Sequence, residues 1–438
     1  MRDWSPELVA EAAGVRLARP APLAADGAPG PARVTIDSRD VRPGDLFVGL
    51  TGRNVDGGRY AADALAAGAW GVLVAPEWAL DATRTQPGVL LTSEDPLAGL
   101  QALARSWRRA LGARVIAITG STGKTSTKDL LAAMLAQDRR VAATDQNLNT
   151  EIGLPLTILA APAGTEVLVL EMAMRGAGQI AELTAIAEPD IGIIVNVGPV
   201  HLELLGSLEA IAAAKAELLA DLHPGATAVL PANEPLLAAH LREDLHTVTF
   251  GPGGDVAEIP EGLELPFTAE HMRSNALAAL AAARAVGVQP RGRLDVRLSA
   301  LRGQRIELPG PVLVIDDCYN ANPMSMRAAL DDLAATATGR RVAVLGDMLE
   351  LGPQEGRFHG EIGDYATRSG IDVLVTVGPL AAAMAGSFRG ILYVTMDAAA
   401  ATETACEIVA PGDTVLVKAS RGVGLEVVAQ GLRAAAGE

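Results

Sequence analysis

The segment that most constrains this chain is residues 114 to 137: an aliphatic run RVIAIT, then Gly120-Ser121-Thr122-Gly123-Lys124-Thr125-Ser126, then the helical pattern TSTKDLLAAMLAQ. A strand that passes through a glycine-bounded turn straight into a helix aims unsatisfied backbone N–H groups at a bound phosphate. In such a loop the glycines let the backbone wrap the oxygens. Lys124 would neutralise the β- and γ-phosphates, and the Thr125 hydroxyl would ligate Mg²⁺. The loop is a shorter variant of G-x-x-x-x-G-K-S/T, because Ile118 stands where the first Gly belongs. Nucleotide binding on a parallel sheet is the expectation, with the base unspecified.

The rest of the chain repeats this alternation. Short β-branched runs bounded by turn residues lie at 167–171 (VLVLE), 190–196 (DIGIIVN), 312–317 (VLVIDD), 341–346 (RVAVLG), 372–377 (DVLVTV) and 414–418 (TVLVK). Helical patterns such as NPMSMRAALDDLAA separate them, which predicts parallel sheets joined by crossover helices, an α/β fold. Ser93-Glu94-Asp95-Pro96 and Pro309-Gly310-Pro311 break the pattern. Three domains are expected: a small N-terminal α/β domain (1–97), a central P-loop domain with a parallel nucleotide-binding sheet (98–309) and a C-terminal Rossmann-like α/β domain (310–438).

Composition narrows the function classes. With 438 residues the chain is long enough for two or three buried cores. A net charge of -16 opposes a phosphate-backbone footprint, so nucleic acid is not an expected partner. Cys318 and Cys406 are far apart and offer neither a disulfide framework nor a thiolate metal site. The opening residues lack an apolar signal region and no run is long enough to span a bilayer, so a cytoplasmic protein without a membrane span is expected. Nothing reads as a dimerisation seam, and a monomer is expected.

Several polar side chains fall where open α/β sheets place ligands, at strand carboxyl ends. Glu171 ends VLVLE; it is either a second acid beside the phosphates or a solvated strand-end carboxylate. His201 follows DIGIIVN in a loop. The helix opened by Ser207 carries an apolar stripe of Leu208, Ile211, Leu218 and Leu222, and Lys215 falls on that stripe. Such a lysine either snorkels its ammonium to an edge or has a depressed pKa and sits modified or paired beside a metal or phosphate. Asn275, near the start of an alanine-rich helix with His271, either reads a base such as adenine or is a capping or surface residue. Arg302 and Arg305 in LRGQRIEL, then Asp316, Asp317, Tyr319, Asn320 and Asn322, gather polarity at the next strand tip. Lys418, Ser420 and Arg421 end the last strand, where cations could bind a carboxylate or phosphate.

With these residues collected, the chain resembles the Mur ligases over essentially its whole length, with the segments in that family's order. GSTGKTSTKD looks like the family's ATP loop. NLNTEIGLPLTIL, LEMAMRGAGQI, GPVHLELLGSLEAIAAAKAEL, IDDCYNANPMSM, LGDMLELG and VLVKASR look most like the branch that adds D-alanyl-D-alanine; the Asp-Asn-Pro-Arg signature of the diamino-acid-adding branch is not found. The resemblance implies an ATP-dependent ligase that joins D-Ala-D-Ala to UDP-MurNAc-tripeptide through an acyl phosphate. It implies one Mg²⁺ on Thr125 and Glu171 and another on His201 and a carbamylated Lys215, with Lys124, Glu171, His201 and Lys215 catalytic. It further implies ATP contacts from residues 120 to 126, Asn275, Arg305, Asp317 and Asn320, and nucleotide-sugar or peptide contacts from Ser38, Arg39, Asn149 and Thr150. The chain departs from the family's usual pattern at Cys318 (usually Ser), Ala419 (usually Gly) and Gly58 (usually His). The rival readings are another amide ligase, of diamino-acid-adding or folylpolyglutamate type, and a P-loop ATPase without ligation.

Overall fold

The computed structural model describes residues 1–20, 30–83 and 87–437. Three large sheets follow one another along the chain. The first is five-stranded, with Arg16–Arg19 antiparallel to Val89–Thr92 and then Gly71–Val74, Asp45–Val48 and Arg33–Thr35 in parallel. The second is six-stranded and wholly parallel, in the order His246–Phe250, Thr227–Pro231, Ile191–Ile194, Arg114–Thr119, Val167–Glu171, Val141–Ala143. The third, also six-stranded, runs Gln304–Leu308, Val312–Asp316, Thr414–Lys418, Arg341–Gly346, Val373–Val377, Ile391–Thr395, with only the first pair antiparallel. The α/β expectation therefore holds, as does the parallel pairing of the aliphatic runs.

The second expected boundary shifts. Gln304–Leu308 pairs with Val312–Asp316 in register from Gln304 opposite Asp316 to Leu308 opposite Val312. Pro309-Gly310-Pro311 is thus the turn of a hairpin inside the third sheet, and the chain passes between the second and third sheets before Gln304. Proline and glycine mark a hairpin turn as readily as a linker, and the sequence does not separate the two. The first boundary behaves differently. Asp95 caps the helix Pro96–Leu111 through the Ala98 N–H, and this helix buries Leu100, Leu103 and Trp107 in a core shared by the first two sheets.

Packing explains the alanine content. The helix Lys124–Leu135 and the helix Glu270–Ala285 both cover one face of the central sheet, and the second buries an unbroken run from Asn275 to Ala283. Small side chains let two helices and a sheet approach closely with few voids. Burying each larger Leu or Ile in that layer contributes about 1.5–3 kcal/mol. The result is that strand carboxyl ends and helix amino ends are held on one rigid edge.

Candidate functional site

The phosphate loop is braced from three sides. Asn196 Oδ1 accepts the Thr122 N–H at 2.9 Å, and Asn196 Nδ2 donates to Thr122 Oγ1 at 3.0 Å. Ser121 Oγ donates to the Gly198 carbonyl and accepts the Gly198 N–H. Gly123 adopts φ 76°, a left-handed conformation that glycine reaches without strain, and a Cβ there would lie 2.4 Å from Asn275 Oδ1. Asn275 is therefore not a surface or capping residue: it is buried against the loop. Lys124 Nζ donates to the Gly120 carbonyl at 2.7 Å. Burial lowers its pKa, Glu171 opposes that, and Arg302 adds to it. Thr125 is buried at the head of the helix and Ser126 half-buried beside it.

Glu171 ends its strand facing this loop's neighbourhood. Its Oε1 accepts from Asn149 Nδ2 at 2.9 Å, its backbone N–H donates to Thr144 Oγ1, and Lys128 Nζ, buried, donates to the Thr144 carbonyl. Glu171 Oε2 is buried with no hydrogen-bond partner. A buried carboxylate oxygen left bare is costly unless a cation or donor completes it. With the Thr125 hydroxyl, it offers the hard oxygen donors that Mg²⁺ prefers. Among the described residues no group of three or more His, Cys, Asp or Glu forms a metal site, so any metal here depends on such a mixed set with water and phosphate.

Lys215 is 1% exposed, and among the described residues no hydrogen bond or ion pair reaches its amine. Burial first and the charge of Lys124 second hold its pKa well below the ordinary lysine value. Burial this deep favours a lysine of depressed pKa over an ammonium carried out to solvent. The stripe expected around it is only partly buried: Ile211 and Leu218 are covered, whereas Leu208, at the helix start, is 37% exposed. His201 caps the short helix Leu202–Leu205 from a left-handed φ of 55°. Its Nδ1 pairs with Glu350 Oε2 in the loop after Arg341–Gly346 of the third sheet, and Glu350, itself at φ 62°, also meets Arg175 Nη2 at 3.5 Å. Two non-glycine residues in the left-handed region thus meet across two sheets, each costing about 1–3 kcal/mol locally. Burial keeps the His201 pKa low despite Glu350, and the charges of Lys124 and Lys215 are close enough to lower it further.

The third sheet supplies a polar wall. Lys418 Nζ, 2% exposed, donates to Asp317 Oδ2 at 2.5 Å and to the Asn320 carbonyl at 2.9 Å. Its ammonium is committed to holding the 316–322 loop rather than free to bind an anion, which corrects the expectation for that cation. Asn320 Oδ1 accepts the Ala321 N–H, and Asn322 caps the helix Pro323–Thr336. His271, on the central helix, feels Asp332 and Asp317, and burial lowers its pKa. Arg305 grips Asp332 at 2.9 Å and Thr336 and lines a cleft of about 460 Å³ with Glu264, Phe267, Thr268 and Arg293.

Among the described residues, only Asn149 of the remaining expected set is bonded to the group above. Arg39 is 87% exposed and bonded to Asp37, and Ser38 shares its turn. No hydrogen bond or ion pair among the described residues ties either to the phosphate loop. Asn149 meets Glu171, while Thr150 is exposed and its Oγ1 accepts the Gly153 N–H at 3.5 Å. At Gly58 an added Cβ would lie 2.2 Å from Trp78 Cδ1, so the indole occupies the space a side chain would need. Cys318 Sγ donates to the Val417 carbonyl as a serine hydroxyl would, and the Ala419 methyl packs against Gly346.

Family profiles match the chain at residues 118–283 (Mur ligase middle domain), 301–421 (Mur ligase, glutamate ligase domain) and 32–86 (Mur ligase family, catalytic domain). A UDP-N-acetylmuramoyl-tripeptide–D-alanyl-D-alanine ligase from Synechocystis sp. is 39% identical across 92% of both chains. MurF from Acinetobacter baumannii superposes with a TM-score of 0.87 at 29% identity, covering 98% of this chain and 99% of that one. The MurF ligase from Thermotoga maritima in complex with ADP gives 0.80 at 30% identity, covering 92% and 98%. No helix among the described residues is long and apolar enough to cross a membrane.

Proposed function

The chain belongs to the Mur ligase family, and from that premise we propose how its own residues carry the reaction. The chain is an ATP-dependent ligase that joins D-alanyl-D-alanine to UDP-N-acetylmuramoyl-tripeptide in peptidoglycan synthesis. The observation that carries the residue assignment is the convergence of Lys124, Glu171, His201 and an unpaired, buried Lys215 at one edge of the central sheet.

The tripeptide's free carboxylate attacks the γ-phosphate of ATP, giving an acyl phosphate and ADP; the dipeptide amine then displaces phosphate. Two anions must approach, so the protein's task is charge neutralisation and alignment rather than a covalent nucleophile. Lys124 leaves the Gly120 carbonyl for the phosphates, and the braced loop offers its N–H groups without reorganising. Thr125 with Glu171, and His201 with Lys215, would hold Mg²⁺; the ions when bound screen the repulsion between carboxylate and triphosphate. Lys215 suits this as a carbamate: an amine kept neutral by burial reacts with CO₂, and the product carries the negative oxygen that an ammonium lacks. Glu350 on Nδ1 of His201 leaves the other ring nitrogen for a metal.

Asn275, Asp317 and Asn320 would contact ATP from both sides of the cleft, with Arg305 joining them only after leaving Asp332. Residues 1–97, with Ser38 and Arg39, would hold the UDP-sugar end, and Asn149 and Thr150 would lie toward the peptide. Residues from Gln304 onward would close over the nucleotide. The protein is proposed to work as a cytoplasmic monomer.

The test is phosphate release from MgATP with tripeptide substrate and D-Ala-D-Ala supplied together and each withheld, then with glutamate or a diamino acid as the amine. Release and a pentapeptide product only with both natural substrates support the reading. Release without an amine, or with glutamate in its place, turns it to a plain ATPase or a sister ligase.

A further inference from the structure

Arg302 plays no part in the assignments above, yet it reaches the phosphate loop directly. Its Nη2 donates to Thr125 Oγ1 at 3.2 Å, and its guanidinium carbon lies 3.8 Å from the centroid of the Tyr319 ring. Its Nε is buried without a hydrogen-bond partner. The neighbouring Leu301 takes a left-handed φ of 61° and its carbonyl accepts the Tyr319 N–H at 3.2 Å. The chain therefore turns sharply where it leaves the second sheet for the third, and the turn is bonded to the residue on which Arg302 stacks. Arg305, three residues on, is committed to Asp332 instead.

Among the described residues Arg302 has no carboxylate in salt-bridge range. A guanidinium with a free, buried N–H, placed beside Lys124 at the mouth of a phosphate loop, is arranged to receive an anion. It also occupies the hydroxyl that a divalent cation needs. Two cations do not share one hydroxyl oxygen comfortably, so the metal and Arg302 exclude one another there, while the Tyr319 face keeps the displaced guanidinium nearby. This rests on the reading that ATP phosphates bind at residues 120 to 126. We infer that Arg302 is a further ATP-binding residue, which rests on Thr125 before nucleotide binds, turns to the terminal phosphates when nucleotide enters, and yields the Thr125 hydroxyl to a divalent cation where one is present.

In metal-free conditions Arg302 and Lys124 are then the main cations for the nucleotide, whereas with Mg²⁺ the ion supplies most of that charge. The experiment measures binding of a non-hydrolysable ATP analogue to the full chain by calorimetry, in EDTA and in saturating Mg²⁺. Arg302→Ala and Arg302→Gln should weaken metal-free binding roughly ten- to a hundredfold, the value of a charge-assisted contact. With Mg²⁺ the loss should be several-fold smaller, and Arg302→Lys should recover part of the metal-free affinity. Equal losses with and without Mg²⁺ would mean that Arg302 merely supports the loop, and no loss would mean that it does not meet the phosphates; either overturns the inference. If the wild-type chain itself bound no analogue, the phosphate site would fall and this role with it.

Discussion

Replacing Lys215 by methionine should make the protein more stable and less active at once. Lys215 is 1% exposed and its amine is unpaired among the described residues, and burying a polar group without a partner costs about 1–3 kcal/mol by mutational measure. Methionine keeps the length and most of the volume, and volume-conserving swaps lose less than about 1.5 kcal/mol. A proton term adds to the gain. Because folding lowers the lysine pKa, the unfolded chain binds more protons between that lowered value and the ordinary one near 10.5. Wild-type stability therefore rises with pH through that window, by up to about 1.4 kcal/mol per unit. Below it both states are protonated and the penalty is constant. Lys215→Met lacks the penalty, so it should be stabilised by at least about 1 kcal/mol at pH 8, with an advantage that shrinks as pH climbs toward 10.5. The assay is urea denaturation followed by circular dichroism in CO₂-free buffer, which prevents carbamate from masking the effect. Turnover of the same variant should fall more than the roughly 10–100-fold typical of losing a metal's outer-shell partner. A less stable variant, or one with wild-type turnover in bicarbonate, would refute the reasoning.

Asn196→Ala removes the side chain that holds the Thr122 N–H, and should weaken nucleotide binding by about 1–3 kcal/mol, read by calorimetry. Gly58→Ala drives a methyl into the Trp78 indole; it should destabilise by about 1–3 kcal/mol, and adding Trp78→Leu should recover part of the melting temperature. Glu350→Ala cuts the contact from the third sheet to both His201 and Arg175, so small-angle scattering of the nucleotide-free protein should give a larger radius of gyration than wild type.

The aliphatic runs predicted as strands pair as strands because their pattern is local: β-branched residues bounded by turn formers specify a buried strand with little help from elsewhere. Lys215 was legible for the same reason, as a charge out of phase with its helix. What stayed hidden depends on contacts far apart in sequence. Asn196 reads as the polar end of a strand until the fold brings it against Thr122. Lys418 reads as a free cation until the 316–322 loop folds over it. Pro309-Gly310-Pro311 reads as a link because hairpin and linker use the same residues, and only the pairing of Gln304 with Asp316 decides. Asn149 and Glu171 are singled out separately in the sequence, and the fold joins them through one hydrogen bond.

The central claim, that ATP activates the tripeptide's carboxylate before the amine arrives, is tested most directly by isotope transfer. UDP-MurNAc-tripeptide labelled with ¹⁸O in its free carboxylate is turned over with MgATP and D-Ala-D-Ala, and the released phosphate is examined by mass spectrometry. One ¹⁸O carried into phosphate for each pentapeptide formed is the predicted result. Phosphate that carries no ¹⁸O from the substrate would contradict it, because the γ-phosphate would then have gone to water and not to the carboxylate.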